Sequence, residues 1–552
     1  MKHTHFVFFG FFFGMGCGFS DVPMEPPAGP ANYYRDIKPL LSAHCTSCHH
    51  SGGIGIYSFE TADDVVSMAA PIVTSVENRT MPPWGQDPSC RPSVGSLRLE
   101  QKTIDRFTQW KEHNYPLGDP ADDPGPVEPD AEGAEKSAAE ADILLEAPDV
   151  YVPDVGFADD YRCLILPYDF QTDTYVYQSY VFPERLDLVH HVIVYIASGE
   201  YRDYFEGLDN ESDEPGFECF GGTGVDAAQM LVGWAPGAFD VEGDRDYARL
   251  IPSGSVLVMQ MHYNLAGKTI DDVVGGDRTQ IALWTLPEGE KPDYLTTLMP
   301  VFDFGIDIPP GEALWPELST RRLPVRSTIL GTSPHMHLLG QSIKVDLIRA
   351  DGTEECLTQV DDWDFDWQRT YLFPEEQVVP VSINDTIRME CNYDNSAKNQ
   401  PVVDGVQQEP QRVTWGDGSF DEMCLNYLVL STPFESRGES GICTGYQGCQ
   451  DTCERGDPLC DVSCAGSLGI PCLECHVDGL FGPCAQSNCG LTMLGFGACY
   501  DTCSGDDLFD FFNCIHGPCK DEFEAFQTCL GPYVEDGTCE SDYAACSGMF
   551  AP

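Results

Sequence analysis

Basic residues are scarce in this chain of 552 residues: 30 Lys and Arg stand against 89 Asp and Glu, for a formal net charge of −59. So acidic a surface repels nucleic-acid phosphates and anionic lipid, which removes both as partner classes; the charge reads as a solubility device. Long apolar runs are also missing. Only the N-terminal "FVFFGFFFGMG" qualifies as strongly apolar, and it is too short to span a bilayer as a mature helix. Histidine is the third scarcity: there are 13, and five fall between Ile143 and Thr432, at 190, 191, 262, 335 and 337. All five lie in strand-like segments, which scattered structural histidines would not usually do. Helical periodicity is weak over the same region, where short alternating strands are separated by Gly, Pro and Asp turns.

Cysteine, by contrast, is abundant. Of 25 cysteines, 16 lie between Cys443 and Cys546, a density that implies disulfides and an oxidising compartment. The N-terminus agrees: Lys2 followed by the apolar run reads as a signal peptide over 1–17, ending in "GMGC". A cysteine after small residues there resembles a bacterial lipoprotein cleavage box, so Cys17 is the expected lipid anchor, with simple cleavage and release as the alternative. The expected location is the periplasm or cell envelope, with the extracellular space as an alternative, and the only expected membrane contact is that anchor. The length calls for several domains. A compact all-α unit is expected over 31–116, an acidic Pro- and Ala-rich linker over 117–142, two all-β sandwiches over 143–300 and 301–435, and a disulfide-rich module over 441–552. In that module, Cys449 and Cys453 facing Cys460 and Cys464 would staple a helical hairpin.

The first unit contains "AHCTSCHH", which sets Cys45, Cys48 and His49 in a C-x-x-C-H arrangement. Two thiols about a helical turn apart can both add to haem vinyl groups, and the following histidine then faces the iron. A structural zinc site would want a second ligand pair, a thioredoxin-like motif would want a βαβ context, and a plain disulfide stays open. In "RTMPPWG", Met81 is the candidate sixth ligand, its loop stiffened by Pro82 and Pro83; His44 and His50 are alternatives, and Met68 reads as core. The unit resembles the small cytochrome c domains fused to bacterial periplasmic enzymes. A second match, "CLECH" at Cys472, Cys475 and His476, is read as chance among so many cysteines.

Two adjacent histidines in "LVHHVIVYIA" pose a problem, because neighbouring side chains on a regular strand point to opposite faces. One is then packed and one exposed, or the strand is locally twisted and both are metal ligands. In "VLVMQMHYN", His262 lies opposite the greasier face of Leu257, Met259, Met261 and Tyr263. In "SPHMHLLG", His335 and His337 share one side, with Met336 turned away as packing.

Taken in order, "VHHVIVY", "LVGWAPGA", "MQMHYN", "SPHMHLLG", "ECNYDNS" and "DGSFDEMCLNY" resemble the copper type II, ascorbate-dependent monooxygenases, the family of the dopamine- and peptide-hydroxylating enzymes. The resemblance implies two jelly-roll-like sandwiches, each with one copper, across a solvent cleft. It implies an electron-transfer copper on His190, His191 and His262, and an oxygen-binding, catalytic copper on His335, His337 and Met423. It also implies a Cys391–Cys424 disulfide behind the Met loop and a substrate-side Tyr427. The peptide-amidating members carry an arginine where this chain has Ser333, and a serine cannot grip a carboxylate in bidentate fashion. Cys163 and Cys219 are expected to form another bridge, while Cys90 and Cys356 have no assignable partner. Trp234, Trp363 and Trp367 are candidates for a pocket wall or for core.

The expected activity is hydroxylation of a C–H bond of a small organic substrate with O2. Its two one-electron reductions, from ascorbate, another one-electron reductant or a redox partner, are expected to pass through the three-histidine copper, fed by the fused haem c. The rival reading is a non-catalytic copper- and haem-binding envelope protein.

Overall fold

The computed structural model describes residues 29–46, 48–51, 55, 57–83, 85–125, 138–225, 228–235, 243–265, 267–323, 327–365, 367–382, 385–403, 406–434 and isolated positions between 489 and 530. The signal peptide with Cys17, the centre of the linker, the Cys449–Cys464 hairpin and the Cys472–Cys475–His476 match lie outside the described residues.

The N-terminal unit is helical: α1 (Lys38–His44), α2 (Ala62–Ser67), α3 (Ala69–Glu77) and α4 (Gln101–Glu112). Apolar residues three or four apart supply one buried stripe per helix. Ile72, Val73 and Val76 of α3 meet Ile104, Phe107 and Trp110 of α4, and Ile37, Leu41 and Val65 close the core. Thr61 and Asp64 cap α2 reciprocally, each side chain taking the other's backbone N–H. Arg106 of α4 reaches Asp36 at 2.6 Å, a buried ion pair that ties the last helix to the first turn.

The central region is all β, as its alternating pattern predicts. The first sandwich comprises β1 (Ile143–Glu146), β2 (Asp159–Ile165), β3 (Thr174–Phe182), β4 (Val189–Ala197), β5 (Phe217–Glu218), β6 (Gln229–Trp234), β7 (Tyr247–Ile251), β8 (Val256–Asn264) and β9 (Gln280–Thr285), with α5 (Arg202–Glu211) after β4. Its inner sheet runs β5-β2-β8-β4-β6 and packs on β1-β9-β3-β7. In β8, Leu257, Met259, Met261 and Tyr263 enter the core between the sheets, and His262 faces away.

The second sandwich comprises β10 (Tyr294–Phe302), β11 (Asp307–Ile308), β12 (Trp315–Arg322), β13 (Ser327–His335), β14 (Gly340–Ile348), β15 (Glu354–Val360), β16 (Tyr371–Leu372), β17 (Val379–Val381), β18 (Thr386–Tyr393), β19 (Val402–Val403), β20 (Val406–Gln407), β21 (Val413–Thr414) and β22 (Leu425–Pro433). A sheet β12-β18-β14-β15 packs on β10-β22-β13-β16. The two sandwiches are not separate sheets side by side. Tyr294 and Leu295 of β10 pair in parallel with Tyr247 and Ala248 of β7, which fuses one sheet of each sandwich into a continuous nine-stranded sheet. The boundary expected at 300 falls within β10.

Five disulfides join described residues. Cys391–Cys424 and Cys163–Cys219 pair as expected. Cys90 and Cys356, for which the sequence suggested no partner, join across 266 residues; such a pairing leaves no local trace. Near the C-terminus, Cys489–Cys529 encloses Cys499–Cys519, a nested pair of staples. Phe496, Phe523 and Phe526 from this region join the core of the second sandwich. No helix among the described residues is long and apolar enough to cross a membrane.

Candidate metal centres

A β-bulge accounts for the adjacent histidines. Along the β4–β8 ladder, Val189 faces Tyr263 and His191 faces His262, so His190 is the extra residue. A bulge re-aims its side chain, and here it turns His190 to the side of its neighbour. One ring nitrogen from each of His190, His191 and His262 lies within 4.8 Å of the others. Asp159, from the adjacent β2, fixes the tautomer of His262: Nε2 donates to its carboxylate at 2.8 Å, which leaves the Nδ1 lone pair aimed at His191 Nδ1, 3.2 Å away. Tyr161 stacks on the His262 ring at 4.1 Å.

These residues fit a bound cation. Neither ring nitrogen of His190 makes a hydrogen bond of good geometry; the Phe365 backbone offers only a glancing polar contact. Buried polar atoms left without partners are costly, and a ligated metal removes that cost. Burial and the neighbouring imidazoles push His190 down to about 3 and His191 well below its ordinary value. Both rings are therefore neutral, the form that coordinates.

The second set forms where β13 ends. His335 is its last residue, and His337 follows in the turn to β14, the two rings 5.0 Å apart and nearly perpendicular. Met336 between them is fully buried, as packing requires. His335 Nδ1 donates to Gln368 Oε1 at 2.6 Å, and Gln368 is oriented in turn by its own N–H bond to the Phe365 carbonyl. His337 Nδ1 donates to the Asp421 carbonyl at 3.1 Å. Both histidines thus keep Nε2 for a ligand. Burial lowers His335 to about 4 and His337 well below its usual range.

Met423 is placed by its neighbours. The buried Glu422 carboxylate accepts from the backbone N–H groups of His337, Leu339 and Met423, binding the loop to the turn. Cys424 is tied to Cys391, and Tyr393 Oη donates to the Met423 carbonyl at 3.0 Å.

His335, His337 and Met423 line a cavity of about 1060 Å³ between the sandwiches, together with His191, Tyr161, Trp234, Ser333 and Tyr427. Ser333 and Tyr427 face each other across β13 and β22. Burial, with Asp417 nearby, raises the Tyr427 hydroxyl to about 12. Trp363 packs on the second core, while Trp234 serves both first core and cavity wall. The implied cleft between the metal sets is not complete. Phe365, on the loop between β15 and β16, stacks on His190 at 4.3 Å and meets His337 edge-on at 5.9 Å. On that side the two sets share one apolar wall.

In the helical unit, Cys45 and Cys48 are not joined in a disulfide and lie on a turn closed by His49 N–H donating to the Cys45 carbonyl. His49 Nδ1 donates to the Tyr57 carbonyl at 2.9 Å, leaving Nε2 as its ligand atom. A Cβ on Gly55 would fall 2.5 Å from that Nδ1, so the loop closes around the imidazole only with glycine there. Two thiols on one turn and an oriented imidazole fit a covalent haem. Met81 sits on the loop after α3, 43% exposed.

Asp159, Phe365, Gln368 and Glu422 were not identified from sequence. Glu422 adjoins the Met423 ligand candidate; the other three carry no local signal, because their partners are remote in the chain.

Residues 321–444 match the family described as "Copper type II ascorbate-dependent monooxygenase, C-terminal domain". This segment is a copper monooxygenase-like domain, and it contains His335, His337 and Met423. No curated protein matches the chain. Among solved structures, a secreted protein from Eubacterium rectale is 10% identical over 50% of this chain and 69% of its own, with a TM-score of 0.15. The infectious bursal disease virus VP2 subviral particle is 11% identical over 57% and 84%, with a TM-score of 0.14. The tandem CBM22 domains of Xyn10C from Paenibacillus barcinonensis are 11% identical over 49% and 82%, with a TM-score of 0.11. Overlaps this low carry no argument.

Proposed function

We propose that the protein is an exported two-copper monooxygenase that hydroxylates a C–H bond of a small organic substrate with O2, with an N-terminal haem c unit as electron carrier. The observation that carries this reading is the His190–His191–His262 cluster, with its orphaned imidazole, near the family-matched His335–His337–Met423 segment, His191 lining one cavity with all three of the latter. Three imidazoles suit an ion that exchanges single electrons, and two imidazoles with a thioether suit the reduced copper that reacts with O2. Copper so held supplies the redox chemistry.

The chain's own residues supply the rest. Asp159, Gln368 and the Asp421 carbonyl hold the imidazole N–H groups and so orient the ligands. Trp234 gives the cavity an apolar wall, and Phe365 covers the rings of His190 and His337. Ser333 and Tyr427 offer hydroxyls to a substrate that carries no carboxylate needing a cationic grip. Cys45, Cys48 and His49 would hold the haem, with Met81 as a further candidate ligand. Ascorbate or another one-electron donor, or a redox partner, supplies reducing equivalents, and Cys17 is the expected envelope anchor.

The test begins with metal analysis and a pyridine haemochrome spectrum, where two coppers and one covalent haem per chain are expected. O2 uptake with ascorbate and a panel of benzylic and phenethylamine substrates follows. Protein that holds both coppers yet neither consumes O2 nor forms product would refute the enzyme reading.

A further inference from the structure

The sequence suggests a tethered haem unit swinging to the three-histidine set. The structure instead shows the unit docked on the second sandwich. Its segment 85–96 lies along β15 and β16. Asp87 N–H donates to the Gln359 carbonyl at 2.7 Å, and Val94 N–H to the Leu372 carbonyl at 2.8 Å. Arg91 donates to the Cys356 and Gln377 carbonyls at 3.1 and 2.7 Å. Cys90–Cys356 makes the dock covalent. A linker that must swing has no use for a disulfide at this place.

Two consecutive residues then connect the docked unit to the second metal set. Arg369, buried in the loop between β15 and β16, donates from Nη2 to the Gly95 carbonyl at 2.9 Å. Gln368, also buried, holds His335 Nδ1 at 2.6 Å.

We propose that the C-x-x-C-H unit delivers electrons to the His335–His337–Met423 set, with Gln368 and Arg369 as positioning residues that fix the approach of one to the other. The inference rests on the haem and copper readings above. One electron leaves ferrous haem and one reduces cupric ion at His335, giving ferric haem and cuprous ion; an external one-electron donor restores the haem.

The test uses full-length, disulfide-intact protein with pre-reduced haem, loaded with Cu(II) and followed by haem absorbance in stopped flow. The parent should show a haem-oxidation phase whose rate is independent of protein concentration. The phase should persist in His262→Ala and vanish in His335→Ala. Its loss in His262→Ala, or its survival in His335→Ala, overturns the proposal. Arg369→Met, with its Cys90–Cys356 bond verified by thiol titration, should slow the phase by about tenfold; an unchanged rate removes Arg369 from the assignment. A haemochrome spectrum without covalent haem defeats the underlying reading, and this inference with it, before any kinetics are run.

Discussion

His190, His191 and His262 lie within two paired strands, just inside the start of β4 and the end of β8, whereas His335 closes β13 and His337 and Met423 lie beyond strand ends. Strand register places the first set, but it leaves the ring nitrogens of His190 without good hydrogen bonds. In the second, both Nδ1 atoms are engaged, and a buried carboxylate and a disulfide hold the Met loop. The first set is therefore positioned by backbone and completed by its ion. The second is pre-organised by side chains before an ion arrives. An orphaned buried donor or acceptor costs about 1–3 kcal/mol, so the metal-free protein is strained at the first set and relaxed at the second.

The comparison can be broken at four points. The largest effect is expected from Met423→Ile, which removes a soft ligand from the pre-organised set only. Turnover should fall about 100-fold or more, with one copper retained per chain and its three-nitrogen EPR signature unchanged. Loss of both coppers together would show that the ligand sets are wrongly divided.

Chelation comes next. Each ion stabilises the fold by about 4 kcal/mol when free metal stands a thousandfold above Kd. Its removal should raise amide hydrogen exchange in β4 and β8 more than in the 337–339 turn. Equal deprotection would remove the distinction. Glu422→Gln replaces a carboxylate that accepts three N–H bonds with an amide that turns donors toward some of them. A loss of about 2 kcal/mol in urea denaturation is expected, with weakened copper binding at the second set alone.

The smallest effect has the most telling sign. In metal-free protein, His190→Leu should raise stability by about 1 kcal/mol, since it deletes orphaned polar atoms, whereas His337→Leu should lower it by about the same, since it breaks the bond to Asp421. Thermal melts of both apo variants decide this.

Much of the scaffold was legible because its signals are local. Alternation marked the β region and the core face of β8, and the spacing of Cys45, Cys48 and His49 marked a chemical motif on one turn. The pairing of His190 with His191 was legible only as a puzzle, since a bulge depends on what the opposite strand does. Gln368 and Asp159 were silent for the same reason: each serves a histidine 33 and 103 residues away. The fusion of the sheets at β7 and β10, and the dock of the N-terminal unit through Cys356, are tertiary facts with no periodicity to announce them.

The position of β22 bears on how the chain is made. It is the last strand of the second sandwich in sequence, yet it lies between β10 and β13, paired with both along almost its whole length. During synthesis or translocation, β10 and β13 must wait through at least the 89 residues 336–424 for the strand that joins them, with the edges it will pair still unmet. A chain that emerges N-terminus first therefore passes through a window of vulnerability that closes only when Leu425–Pro433 arrives. Closure of this half-sheet therefore waits on β22, and a truncation before 425 leaves two half-sheets with open seams.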